Sequence, residues 1–232
     1  ISDSTACQDR ESQDGEGQDG TSGLCIVGSI LVSGGRCQGK VHVPDGITVI
    51  APYAFSANRQ ITGLVLPETL RGIGEGAFWG CSGLKHVRFP SESCAVGPRA
   101  FEKCTGIQAI RLRAHSLGAS AFARCLSLER AEITGLSILE KRLFEGCENL
   151  RECACGQVSA IEDSCFSGCR KLENFDFQRT MEIGSYAFQD CDMLKEISLN
   201  DQTKVHPHGF EDCGRLERIA LTGGISSPEL GE

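Results

Sequence analysis

The strongest pattern along the chain is a phenylalanine that returns at Phe55, Phe78, Phe101, Phe122, Phe144, Phe166, Phe188 and Phe210, at spacings of 23, 23, 21, 22, 22, 22 and 22. Other positions keep step with it. Five residues before the ring stands Ile50, Ile73, Val96, Leu117, Leu139, Ile161, Ile183 or Val205, and six after it Ile61, Leu84, Ile107, Leu128, Leu150, Leu172, Leu194 or Leu216. Three after it comes Asn58, then Cys81, Cys104, Cys125, Cys147, Cys169, Cys191 and Cys213. The ninth and eleventh places are apolar between polar neighbours, as in Leu64 and Leu66 or Ile110 and Leu112, which is the period-two signature of a half-buried strand. Agreement at so many places over a fixed period marks stacked structural repeats. One short strand per unit predicts a parallel sheet with strands about 4.8 Å apart and right-handed crossovers, the Phe dropping into the core from a turn on the return limb.

Segments such as Leu64-Val65-Leu66-Pro67 and Ile73-Gly74-Glu75-Gly76-Ala77-Phe78-Trp79-Gly80-Cys81 with Leu84 closely resemble the unit of the BspA-like, treponemal-type leucine-rich-repeat family. The resemblance spans about three-quarters of the chain, residues 45–221. It implies an α/β repeat solenoid, a right-handed horseshoe, mostly β and loop, with a curved parallel sheet on the concave face and short helical or 3₁₀ turns opposite. Val41-His42-Val43-Pro44 fits the strand of one further unit, and Leu24 to Gly39 fits a hairpin cap, needed because a first strand would otherwise leave an open core and an unpaired edge. The expected organisation is a flexible acidic tail at 1–22, cap and first strand at 23–44, about eight units over 45–222, and an exit segment at 223–232. For function the resemblance implies a monomeric protein-interaction module at a bacterial cell surface or in the periplasm, used in adhesion or in binding host components.

Composition narrows the chemistry. The formal charge is −8, but residues 1–22 hold six acids against Arg10, leaving 3 negative charges for the rest of the chain. A nearly neutral array is unsuited to neutralising phosphates, so nucleic-acid binding is set aside. No apolar run approaches the roughly 18 residues of a membrane-spanning helix. There is no phosphate-binding glycine loop, no zinc-protease helix motif and no nucleophile elbow, and no catalytic residue, cofactor or metal ligand is assigned. His206-Pro207-His208 reads as a polar turn lacking a further ligand.

Seven of the fourteen cysteines occupy the place of Asn58, and in leucine-rich repeats that place faces inward and bonds backbone groups of the turn as a ladder. Cys153, Cys155 and Cys165 replace core residues near Cys147 and Cys169; small core side chains are the favoured reading, a thiolate metal site the alternative. Cys25 and Cys37 flank the cap hairpin, either paired or as thiols.

If places nine and eleven point inward, places eight, ten and twelve face the partner. They give a basic stretch, His86, Arg88, Arg111, Arg113 and Arg130, followed by an acidic one, Glu132, Glu152, Asp176 and Glu196. The middle of the array is expected to be irregular. The strand-ending Pro44, Pro67 and Pro90 lose their counterpart, the spacing drops to 21, and Ala131 and Cys153 replace larger side chains. A disturbed sheet around residues 110–160 is predicted there, with an apolar pocket formed by Ala131, Leu136, Ile138, Leu139, Leu143 and Cys153, so that a small apolar ligand is the second functional candidate.

Overall fold

The computed structural model describes residues 23–223; the expected tail at 1–22 and, apart from Gly223, the expected exit segment at 223–232 lie outside them. Strands with a 21- to 23-residue step stack in parallel into a β-solenoid of about nine turns. Each turn presents not one strand but two. A front ladder carries Gly39–His42, Ile61–Val65, His86–Arg88, the first part of Ala109–Leu117, Arg130–Thr134, Glu152–Ala154, a single bridge at Asn174, Glu196–Asn200 and Arg218–Thr222. A back ladder carries the cap hairpin Cys25–Val27 and Ile30–Ser33, then Val49–Ile50, Gly72–Ile73, Cys94–Val96, the end of Ala109–Leu117, and Ile138–Leu139, Ala160–Ile161, Glu182–Ile183 and Lys204–Val205. The back strands are those apolar residues five before each Phe, mostly only two residues long and therefore without visible alternation in the sequence.

The return limb corrects the expectation of helical or 3₁₀ turns. Two residues before and two after each Phe the backbone is left-handed: Tyr53 and Ala57, Arg99 and Lys103, Ser120 and Arg124, Tyr186 and Asp190, with Gly taking the place at Gly76, Gly80, Gly146 and Gly168. A left-handed residue at every fourth place prevents helix, and neither helix type occurs among the described residues. The N–H groups are satisfied sideways instead. Tyr53, Phe55 and Ala57 donate to the carbonyls of Glu75, Ala77 and Trp79 in the next turn at 2.9, 2.7 and 2.6 Å, and Arg99, Phe101 and Lys103 repeat this with Ala119, Ala121 and Ala123. The return limb is thus a third hydrogen-bonded ladder.

Inside it the eight rings form one column. Successive centroids from Phe55 to Phe210 are 4.9 to 5.9 Å apart, with interplanar angles of 5° to 18°. Gly34 ends the column at the cap, since a Cβ there would lie 1.9 Å from the Phe55 ring. Beside the rings runs the thiol ladder. The carbonyls of Phe55, Phe78, Phe101, Phe144, Phe166 and Phe188 accept the N–H of the residue three further on, and every Phe carbonyl from Phe55 to Phe188 accepts the S–H of the cysteine in the next turn: Cys81 Sγ to Phe55 O at 3.1 Å, Cys104 to Phe78 at 3.0 Å, Cys125 to Phe101 at 3.3 Å, and so through Cys147, Cys169, Cys191 and Cys213. Asn58 makes the equivalent contact to the cap, donating to Gly34 O at 3.1 Å and Cys37 O at 2.9 Å while accepting the Gln60 N–H. Burial pushes the ladder thiols up, Cys213 to about 11 and Cys104, Cys169 and Cys191 well above the ordinary thiol value, and does the same to Cys94 in the back ladder, to about 11. At the cap, Cys25 is disulfide-bonded, and burial raises the pKa of Cys37.

The expected irregularity between 110 and 160 is found in the back ladder and not in the front. The front ladder runs unbroken there, Arg130 to Thr134 in register with Ala109 to Arg113 on one side and Arg130 to Glu132 with Glu152 to Ala154 on the other. Arg113 stands where Pro90 ends the strand one turn earlier, and the 21-residue spacing removes two residues from the corner. With its N–H restored and no corner to turn, Ala109–Leu117 continues for nine residues from the front ladder into the back one. The ladders break in front between Arg88 and Ala109 and from Ala154 to Glu196, and in the back, inside the expected region, between Leu117 and Ile138. Near Asn174 the small Cys153 and Cys155 precede the large Phe175 and Phe177, whose rings pack at 4.8 Å, and Asp176 takes the Gln178 N–H at 3.0 Å. That side-chain capture removes a donor from the front ladder.

Replacing the exposed Ala57 (φ 59°) by glycine relieves left-handed strain that outweighs the extra chain entropy of glycine. Ala57→Gly is expected to raise the midpoint of thermal unfolding by about 1–4 °C, roughly 0.5–1 kcal/mol; an unchanged or lower midpoint contradicts the assignment of strain. The thiol pKa shifts set a pH window. A group held above its unfolded value of 9.0 contributes fully below pH 9, and its contribution disappears as pH rises toward 11. Thermal stability should therefore fall between pH 9 and 11, less steeply for Cys94→Val; identical slopes for the two proteins would refute this.

Candidate functional site

The nine residues that the sequence places on the partner-facing side are all exposed on the front ladder or its bridge level: His86, Arg88, Arg111, Arg113, Arg130, Glu132, Glu152, Asp176 and Glu196. Their order along the stack follows strand pairing. Arg130 lies opposite Glu152, Arg111 opposite Glu132, and Glu196 opposite Arg218, a residue the sequence reading omits and which returns positive charge to the last described turn. Arg111 reaches Glu132 at 3.2 Å, with their side chains 82% and 48% exposed. A pair so open to water adds little stability, about 0–1 kcal/mol, and chiefly orders two side chains at the boundary between the basic and acidic halves. Arg218 and Glu196 approach to 3.8 Å in the same way. Arg130 and Glu152, though in register, form no ion pair among the described residues.

At this boundary the face is indented. A hollow of about 380 Å³ opens over Ala109–Leu117, Arg130–Thr134 and Glu152–Ala154. Val87, Ala109, Ile110, Ala131 and Ala154 line its apolar part, and Arg111, Arg130, Glu132 and Glu152 carry its charges. The hollow exists because Ala109 and Ala154 stand at outward places where neighbouring turns carry charged side chains, while the backbone ladder beneath stays flat. Of the six residues expected to line an apolar pocket, only Ala131 belongs to it. Leu139 and Leu143 are fully buried core, Cys153 lies inward on its strand, Leu136 packs against the core edge, and Ile138 points outward from the back ladder. Ala109 and Ala154 escape sequence analysis because alanine at an exposed strand position carries no signal until the pairing shows what surrounds it. A second hollow of about 350 Å³ lies at the strand-ending prolines, Pro44 and Pro67, beside His42, Glu68 and Arg88.

The other candidate chemistry does not converge. His206 Nε2 meets Glu182 at 2.7 Å, whereas His208 Nδ1 meets Glu211 at 3.0 Å and its ring stacks on Tyr186. Each histidine serves a separate contact between turns. Cys153, Cys155 and Cys165 are buried thiols; a hydrogen bond with Cys155 and burial raise the pKa of Cys153, burial raises that of Cys165, and among the described residues no set of three or more potential ligands is placed to hold a metal ion. No helix of the described residues is long and apolar enough to cross a membrane.

Comparison with known proteins agrees with this geometry. Among solved structures, the chain is similar to a leucine-rich repeat protein from Bacteroides ovatus (22% identity, TM-score 0.54, covering 84% of this chain and 66% of that one). It is also similar to one from Eubacterium ventriosum (19% identity, TM-score 0.50, covering 88% and 49%). A third likeness is to the leucine-rich repeat protein of T. pallidum (26% identity, TM-score 0.48, covering 62% and 82%). Against the B. ovatus and E. ventriosum proteins this chain spans less than two-thirds of the partner's length. No curated protein matches it. Residues 37–151 and 115–229 match the BspA type leucine rich repeat region in six copies, and with the Phe column, the thiol ladder and the stacked strands they show that the chain belongs to the BspA-type leucine-rich-repeat family.

Proposed function

We propose that the chain binds a protein partner across the front sheet face, with the sign change at Arg111 and Glu132 at the centre of the contact. Family membership points to a protein-interaction module. The observation that carries the finer reading is the coincidence, on one sheet face, of exposed charges ordered by sign and a hollow at the place where the sign reverses. Charges so arranged raise the rate of encounter and fix the register of a complementary partner more than they raise affinity. Surface attachment to host or neighbouring cells is the setting that the family resemblance suggests. The rim of two arginines and two glutamates suits a side chain carried on a protein better than a free apolar molecule, so the small-ligand reading draws no support from this hollow.

The test is affinity capture from the native source with the chain and with Arg88→Glu/Arg111→Glu, followed by measured binding of the captured protein. Binding should fall at least tenfold in the double variant and weaken as salt rises from 50 to 500 mM. Equal binding by both forms, or salt-independent binding, would remove the front face as the site.

A further inference from the structure

We infer that the hollow at the sign change accepts one aromatic side chain from a partner segment in the polyproline II conformation, with an acid three residues to one side of the aromatic and a base three residues to the other. This rests on the front-face reading and names the occupant.

The hollow is centred on Arg130–Thr134 and spans one turn to either side. Its outward-facing apolar part is Ala109 and Ala154, flanked by the unpaired Arg130 and Glu152. A volume of about 380 Å³ admits an aromatic ring and its water. A ring fits because it buries a flat apolar surface on alanine while its edge, and the hydroxyl of a tyrosine, meet charged neighbours. Arg130 also offers a guanidinium to the ring face.

The spacing of charge then selects the backbone of the partner. Arg88 lies two turns from the centre of the hollow on the basic side, and Asp176 two turns from it on the acidic side. At the usual strand separation each is about 10 Å away across the sheet. An extended β-strand puts residues on one face every ~6.7 Å and sends the third residue to the opposite face. A polyproline II segment has three residues per turn and a rise of about 3.1 Å, so residues three apart lie on one face about 9.3 Å apart, matching two strand separations. An acid, aromatic and base at successive third positions therefore meet Arg88, the hollow and Asp176 together. Such a segment has its backbone hydrogen-bonding groups free and needs no strand edge, consistent with a ladder already paired on both sides of Arg130–Thr134.

The experiment uses the full chain and the synthetic peptide acetyl-Glu-Pro-Pro-Tyr-Pro-Pro-Lys-amide, with binding followed by calorimetry and by chemical-shift changes. Control peptides replace tyrosine by alanine, or both charged residues by glutamine. Ala154→Phe fills the hollow from an exposed position, and Ala109→Phe does so from the other side. Each variant is used only once its unfolding midpoint matches that of the parent chain; one variant meeting that condition suffices. The expected result is saturable binding, at least tenfold weaker for either control peptide and for either filled variant, with shifts at Ala109, Ala131 and Ala154. Absence of binding to the parent chain, or equal binding to a filled variant, overturns the inference. If the filled variants still bind the captured protein while Arg88→Glu/Arg111→Glu does not, the front face stands and the aromatic anchor falls; if the double variant binds as well, both fall.

Discussion

The stacking of this solenoid hangs on the carbonyls of its phenylalanines. At Phe55, Phe78, Phe101, Phe144, Phe166 and Phe188 that oxygen takes an N–H from its own turn and a thiol proton from the next, so one acceptor both closes a tight turn and ties it to its neighbour. The geometry holds only if the residues two before and two after the ring are left-handed, which directs alternate N–H groups along the stack. Twelve of these positions are not glycine, and the strain, about 1–2 kcal/mol each, is offset by the sideways bonds and by ring stacking that adds roughly 0.5–1.5 kcal/mol per contact beyond burial. Cysteine suits the third place because its side chain is small enough to sit inside the turn and its weak donor is enough for a buried carbonyl that already has one bond. The fold therefore uses cysteine as packing, and burial keeps the thiols protonated and unreactive.

How far the sequence discloses such a structure depends on how often a feature repeats. The ring, the thiol and the apolar flanks recur in turn after turn, so their common place can be read without coordinates, and places eight, ten and twelve follow from the pleat alone. The back ladder is harder. A pair such as Ile161 with its neighbour is too short to show a period, and only the stacking of successive turns makes it a strand. The left-handed positions leave a trace in Gly80, Gly146 and Gly168, but Ala57, Lys103 and Arg124 hide it.

The middle of the array shows a signal that holds for the back ladder, which breaks between Leu117 and Ile138, but is read with the wrong sign for the front. Loss of the proline and of two corner residues suggests disorder when each is seen as a departure from the repeat. Physically, both remove obstacles to strand continuation, and the result is the longest strand of the described residues. Likewise, small side chains at Ala131 and Cys153 did not break the ladder, since its hydrogen bonds belong to the backbone. Where pairing does fail, near Asn174, the cause is the reverse: two large rings and an aspartate that diverts an N–H. The hollow was invisible because it comes from outward alanines, not inward ones.

The unbroken strand Ala109–Leu117 also has a mechanical meaning. In front it belongs to a three-turn block, and at its far end to the block that begins with the cap hairpin. Elsewhere the two ladders are joined only through corners, and the front ladder is interrupted on both sides of this block. The array thus consists of plates that meet at seams, with one covalent strut crossing from front to back. Bending is concentrated at the seams, where fewer bonds must stretch, while the plate beneath the charge reversal keeps its shape. Arg88 and the residues beyond Ala154 sit on the flanking plates, so their distance to that fixed centre is the coordinate along which the surface adjusts.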